Sequence, residues 1–228
     1  MIRSPKGKTL LNAALVAEFG HSLFDFAALD SAVLEREPFD FVIVPDFLPT
    51  SALAAANRDF PLIKGPANFP PEQLKYGPGF GQLLDALDSD EFSERLGAKF
   101  GLELIGQPTT ITVRKFSEVS DGNIHTDHRS KIITALLYFN TEWDHEGGKL
   151  RMLRSKKDIE DYVAEIPPLG GTLLAFRRTD HSFHGHKRFV GERRMLQMNW
   201  LKQSRKAQYR QRFDRLSTHL MKRLSRLG

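Results

Sequence analysis

Cysteine is absent from this 228-residue chain, which removes disulfides, thiolate zinc centres and a cysteine nucleophile. His, Asp and Glu are left to hold any metal. Long apolar runs are missing too. None approaches the roughly 20 residues that a membrane-spanning helix needs, and Leu10 to Phe19 is interrupted by Asn12 and Glu18 and lacks a persuasive cleavage site. The chain therefore reads as a cytoplasmic protein, with a reducing compartment permitted by the missing thiols. There is no internal repeat and no low-complexity segment. Acidic side chains are scarce in the C-terminal tail. Lys202 to Gly228 carries nine Lys and Arg against the single Asp214, so this tail holds +8 while the whole chain holds +5, and the rest sums to −3.

With 40% hydrophobic side chains and 17 Phe, the chain can build one substantial core with a helical annex. A single domain over 1–228 is expected: a helical N-terminal region over 1–108, a β-rich core over 109–201 and a basic C-terminal helix over 202–228. In the N-terminal region, Leu10 to Leu34 reads as helix broken near Gly20, and Phe39 to Phe47 as a short strand. Asn57 to Gly81 is studded with Pro and Gly and reads as a surface loop. Ser89 caps a predicted helix with Phe92, Leu96 and Phe100 at helical spacing. From Thr109 the texture changes to short β-rich runs over 109–116, 131–140, 150–153, 172–176 and 194–200. Turn signals at Asp121-Gly122, Gly147-Gly148 and Gly170-Gly171 separate them. That spacing predicts a sandwich or jelly roll rather than an α/β sheet.

His125-Thr126-Asp127 puts an imidazole and a carboxylate at i and i+2, which leave the same face of extended backbone. A third ligand must come from elsewhere, and TDHSFHGHK offers His181, His184 and His186. Two imidazoles and one carboxylate leave adjacent positions open, as suits nonheme Fe(II). Zinc usually closes more of its sphere. The bland alternative is a solvated turn after Asp121-Gly122. The strand over 194–200 weighs against it: alternation puts Arg194 with Leu196, Met198 and Trp200, and Arg193 with Met195, Gln197 and Asn199. A charge on the apolar face needs an anionic partner inside the barrel, and a guanidinium matches a carboxylate.

The ordered blocks HTDHRSKIITALLYFN, WDHEGGKL and GTLLAFRRTDHSFHGHKRFVGERRMLQMNW, over about 109–201, resemble the prolyl-hydroxylase-like branch of the Fe(II)- and 2-oxoglutarate-dependent oxygenases. The resemblance implies a double-stranded β-helix (jelly roll), mainly β with flanking helices. It implies His125, Asp127 and His184 as iron ligands, with His181 and His186 outside the first shell. Arg194, ten residues after His184 and six before Trp200, would hold the distal carboxylate of 2-oxoglutarate. Tyr138 falls where similar enzymes place a hydroxyl on that carboxylate; its alternative is an ordinary core tyrosine. Phe116 departs from the tyrosine frequent there in relatives.

By the same resemblance the cofactors are Fe(II), 2-oxoglutarate as co-substrate and O2, with ascorbate as reductant. The reaction is hydroxylation of an unactivated C–H of a peptidyl or small-molecule substrate, with release of succinate and CO2. Asp127 occupies the position that related halogenases leave to a halide, which favours hydroxylation. Two other readings stand beside it. One is a zinc or manganese hydrolase using the same two His and one Asp. The other is a non-catalytic jelly-roll binding protein with a basic tail. Phe213, Leu216, Leu220, Leu224 and Leu227 form an apolar stripe among basic residues. Such a helix can lie on a membrane, but more commonly docks on the body or on a second subunit. No motif supports nucleic acid as a partner.

Overall fold

The computed structural model describes residues 23–203. The basic tail from residue 204 and the predicted helical stretch up to residue 22 lie outside the described residues. Among the described helices, none is long and apolar enough to cross a membrane.

The described residues before 109 form four α-helices, one 3-10 turn and one strand. Helix α1 (Phe26–Ser31) is capped by Asp25, whose side chain accepts from Ala28 N at 2.8 Å. Strand β1 (Phe41–Val44) follows, then helix α2 (Thr50–Arg58). The predicted loop over 57–81 is shorter than expected. Residues 59–77 are irregular apart from one 3-10 turn, but Pro78 opens helix α3 (Pro78–Leu87). Proline's fixed φ and missing N–H are harmless at a first helical position, so the residue that forbade a helix interior here starts one. Asp59 accepts from Gly79 N at 2.6 Å and fastens that first turn to the end of α2. Helix α4 (Asp90–Phe100) begins at Ser89, whose hydroxyl accepts from Phe92 N at 3.1 Å, and stops at Gly101 in the left-handed region, φ 64°.

The β-rich half is a jelly roll. Its strands are β2 (Thr109–Ser117), β3 (Lys131–Tyr138), β4 (Leu150–Leu153), β5 (Tyr162–Ile166), β6 (Leu173–Arg177), β7 (His184–Gly185) and β8 (Gly191–Leu201). A five-stranded sheet has the order β1-β6-β3-β8-β2 and faces a three-stranded sheet β5-β4-β7, with every pairing antiparallel.

Both faces of the larger sheet are covered. On one, Val42 and Val44, Ile133, Ala135 and Leu137, Leu173 and Ala175, and Leu196, Met198 and Trp200 pack against helical side chains such as Leu83, Leu87, Phe92 and Leu96. On the other, Phe41, Leu136, Tyr138, Leu174, Phe176 and Met195 meet Leu150, Met152 and Ile166 of the smaller sheet. These two sets alternate along each strand, as the pleat requires. Trp200 is fully buried, stacks obliquely on Phe92 at 5.7 Å and donates from its indole N–H to Ser93 Oγ at 3.1 Å. It pins α4 to the sheet. Trp200→Ala should cost about 3–5 kcal/mol by denaturant unfolding, from lost burial and a cavity that helix and sheet cannot close together.

Candidate metal and co-substrate site

His125 and His184 are drawn together by backbone. They form an isolated antiparallel bridge, with His125 N donating to His184 O and His184 N to His125 O, each at 3.0 Å. The imidazole centroids lie 4.3 Å apart. That approach needs glycine beside it: a Cβ on Gly185 would meet Gly122 O at 2.8 Å, and one on Gly122 would meet His186 O at 2.4 Å. Nδ1 of His125 sits 2.8 Å from Asn123 O, and Nδ1 of His184 lies 3.0 Å from Ser182 O. A carbonyl can only accept, so Nδ1 carries the proton in both rings and Nε2 keeps its lone pair for a metal.

Asp127 completes the group. Its ligand atom and those of His125 and His184 all lie within 4.8 Å of one another. Lys131 Nζ donates to Asp127 Oδ1 at 2.8 Å, and Thr134 Oγ1 donates to Oδ2. Burial would raise the Asp127 pKa, but Lys131, His184 and Thr134 outweigh it and hold the carboxyl below its ordinary range. His184 is pushed down to about 4, first by burial and then by His125, so it stays neutral near pH 7. A carboxylate and an imidazole are thus both in the protonation state that a metal requires. His181 and His186 stand outside the group: His181 is exposed, while His186 lines the same cavity.

The cavity of about 190 Å³ beside these three residues is lined by Arg193, Met195 and Gln197 of β8. Arg194 is not there, which corrects the expectation that its side chain enters the barrel. The alternation along β8 is as read from the sequence, but the apolar face turns to the helices and the polar face to the barrel. Arg194 accordingly lies on the helical side, ion-paired with Glu192, donating to Asn57 Oδ1 at 3.3 Å and 5.6 Å from the Phe60 ring centroid.

Arg193 is 4% exposed and has no carboxylate in contact with it among the described residues. Its Nε donates to Gly148 O at 2.8 Å, and Nη1 meets Met195 Sδ, a weak acceptor, at 2.9 Å. Burial pushes its pKa down. Tyr138 is fully buried with its hydroxyl lacking any hydrogen-bond partner among the described residues, and its ring centroid lies 5.4 Å from the Arg193 guanidinium carbon. A desolvated guanidinium and an orphaned hydroxyl in one place are costly unless something anionic satisfies both. The residues present therefore fit a metal at the triad and a dicarboxylate reaching from it towards Arg193 and Tyr138.

Sequence reasoning passed over Arg193, although its neighbours Gln197 and Asn199 marked a polar inner face. It also passed over Lys131 and Thr134, which hold Asp127, and Arg114, the first charge in an otherwise β-branched TTITV run.

A family profile described as the 2OG-Fe(II) oxygenase superfamily matches residues 114–202. No curated protein matches the sequence significantly. Among solved structures, a Pseudomonas putida prolyl-4-hydroxylase is 18% identical with a TM-score of 0.51, covering 78% of this chain and 94% of its own. A viral collagen prolyl hydroxylase from Paramecium bursaria Chlorella virus-1, solved as a 2-oxoglutarate complex, is 15% identical with a TM-score of 0.50, covering 71% and 96%. A prolyl 4-hydroxylase from Phytophthora capsici is 13% identical with a TM-score of 0.51, covering 87% and 66%. At these identities the likeness shows the shared fold.

Proposed function

We propose that this chain, whose residues 114–202 match the 2OG-Fe(II) oxygenase superfamily profile, is an oxygenase of that superfamily that hydroxylates an unactivated C–H bond of a small-molecule or peptidyl substrate and releases succinate and CO2. Its cofactors are those of the superfamily: Fe(II), 2-oxoglutarate and O2. When bound, that set supplies the oxidation of a C–H bond coupled to loss of CO2 from 2-oxoglutarate. The protein's own role is to bind, orient and exclude water. His125, Asp127 and His184 would hold the metal, with Asn123 O and Ser182 O fixing the tautomers and Lys131 and Thr134 fixing the carboxylate. Arg193 would take the distal carboxylate of 2-oxoglutarate, with Tyr138 donating a second hydrogen bond to it. Leu136, Phe176 and Met195 dry the space between.

The observation that carries this reading is the pairing of the triad with a buried, carboxylate-free arginine in one cavity. A zinc or manganese hydrolase would have no use for that cation. Purified protein given Fe(II), ascorbate and 2-oxoglutarate should form succinate slowly even without its substrate. Calorimetry with a redox-silent metal in place should show 2-oxoglutarate binding. No binding there would decide for the hydrolase or scaffold readings.

A further inference from the structure

Apolar and polar side chains share the lining of the cavity. Leu136, Leu150, Phe176 and Met195 are buried, and the Phe176 ring lies 4.6 Å from that of His184. The polar lining includes Asn68, Arg114, Ser117 and Asp121, and the charges of Arg114 and Asp121 both act on Arg193. The side chains of Arg114 and Asp121 are 15% and 20% exposed, against 4% for Arg193, so they stand nearer the mouth.

Ordinary alternation along β2 sets Val113 on the helical face and Arg114, opposite Met195, on the cavity face. The β2–β8 register slips between Arg114 and Phe116. Such a bulge re-aims side chains, so Phe116 packs with the helical core while Arg114 and Ser117 both line the cavity. On the other side of β2, Phe69 bridges Val113 through hydrogen bonds of 2.9 and 2.8 Å, which sets Asn68 beside the same opening.

The Arg114–Asp121 pair uses only half of its hydrogen-bonding capacity on the protein. Arg114 donates from Nε to Phe116 O at 2.8 Å and from Nη2 to Asp121 Oδ2, which also accepts from Glu118 N at 2.8 Å. Of the two Asp121 carboxylate oxygens, Oδ2 is the one that accepts from the protein among the described residues. Arg114 Nη1 and Asp121 Oδ1 have no partner among the described residues. A free guanidinium edge and a free carboxylate oxygen are held side by side at the mouth of a metal cavity. A simple anion would be drawn by Arg114 and repelled by Asp121. A simple cation would meet the reverse. A group bearing both charges a few ångströms apart meets neither conflict.

We propose that Arg114 and Asp121 clamp the head group of a free α-amino acid, Arg114 taking its carboxylate and Asp121 its ammonium group, so that its side chain extends towards the metal triad. This rests on the oxygenase reading and names its substrate class. A peptide bond would remove both charges, so free amino acids are favoured over peptidyl substrates.

The test is a binding screen on full-length protein loaded with Zn(II), with and without 2-oxoglutarate, read by saturation-transfer NMR and calorimetry. The twenty free L-amino acids are compared with their N-acetyl amides. At least one free amino acid should bind, with its N-acetyl amide at least tenfold weaker. Arg114→Gln and Asp121→Asn should each weaken amino-acid binding tenfold or more while changing 2-oxoglutarate affinity less than threefold. Asp121→Asn keeps an oxygen for Glu118 N, so it removes charge without releasing the turn, and melting temperatures confirm folding. The proposal is overturned if no free amino acid binds, if the blocked forms bind equally well, or if Arg114→Gln leaves binding unchanged. It is also overturned if Arg114→Gln costs as much 2-oxoglutarate affinity as Arg193→Ala, which would move Arg114 into the co-substrate site. Amino-acid binding without 2-oxoglutarate binding would uphold the clamp and sink the oxygenase reading.

Discussion

Arg193→Ala should weaken 2-oxoglutarate binding at least tenfold, whereas Arg194→Ala should leave it nearly unchanged. Arg193 is desolvated inside the barrel with a carbonyl and a thioether for company, and a dicarboxylate would supply its missing anion. Loss of a buried, charge-assisted partner costs on the order of 2–5 kcal/mol, and each ~1.4 kcal/mol is a factor of ten. Arg194 already has Glu192 and Asn57 on the opposite face of the sheet. Calorimetric titration of both variants with a redox-silent metal bound compares them directly, after their melting curves show both to be folded. Equal losses, or a larger loss at Arg194, would refute the assignment. Tyr138→Phe removes only the orphaned hydroxyl and provides a milder companion to the same measurement.

The second large effect is expected at Asp127. Asp127→Ala should reduce Mn(II) or Fe(II) affinity by more than the roughly 10–100-fold that outer-shell substitutions cost at metal sites, because it deletes the one anionic donor of the triad. It also strands Lys131, whose ammonium then sits beside the metal position with nothing to neutralise it. Electron paramagnetic resonance of added Mn(II) reports free against bound ion. Lys131→Met serves as the control, since it removes that stranded cation. If the double variant Asp127→Ala/Lys131→Met recovers full affinity, repulsion by Lys131 rather than lost ligation explains the single variant.

The two arginines also show how far the sequence could be read. Its alternation along β8 was legible, and Arg193 and Arg194 do point to opposite faces. The sequence did not reveal which face looked inwards. Apolar side chains usually mark the interior, but this sheet has two interiors: a dry one against the helices, and a polar one that holds the site. The spacing of His125 and Asp127 was legible in the sequence, whereas His184 was singled out among three histidines only by the family resemblance; the structure brings the three ligand atoms within 4.8 Å of one another. The bridge that aligns the imidazoles was not, because β7 is only two residues long and has no periodicity to detect. Ser89 advertised its helix through a capping side chain. Helix α3 was hidden because Pro78, Gly79 and Gly81 resemble loop residues until Pro78 is placed at the first helical position.

The two-sided burial of β8 has a consequence for how the chain avoids misassembly. A strand with one solvated face can slip by a residue and still leave its polar side chains in water. β8, hydrogen-bonded to β3 on one edge and β2 on the other, has no such refuge. A one-residue slip would drive Arg193, Gln197 and Asn199 into the helical layer and withdraw Trp200 from Ser93. The polar residues that line the site therefore also act as a register lock, penalising every pairing of the central strand that is misaligned by an odd number of residues.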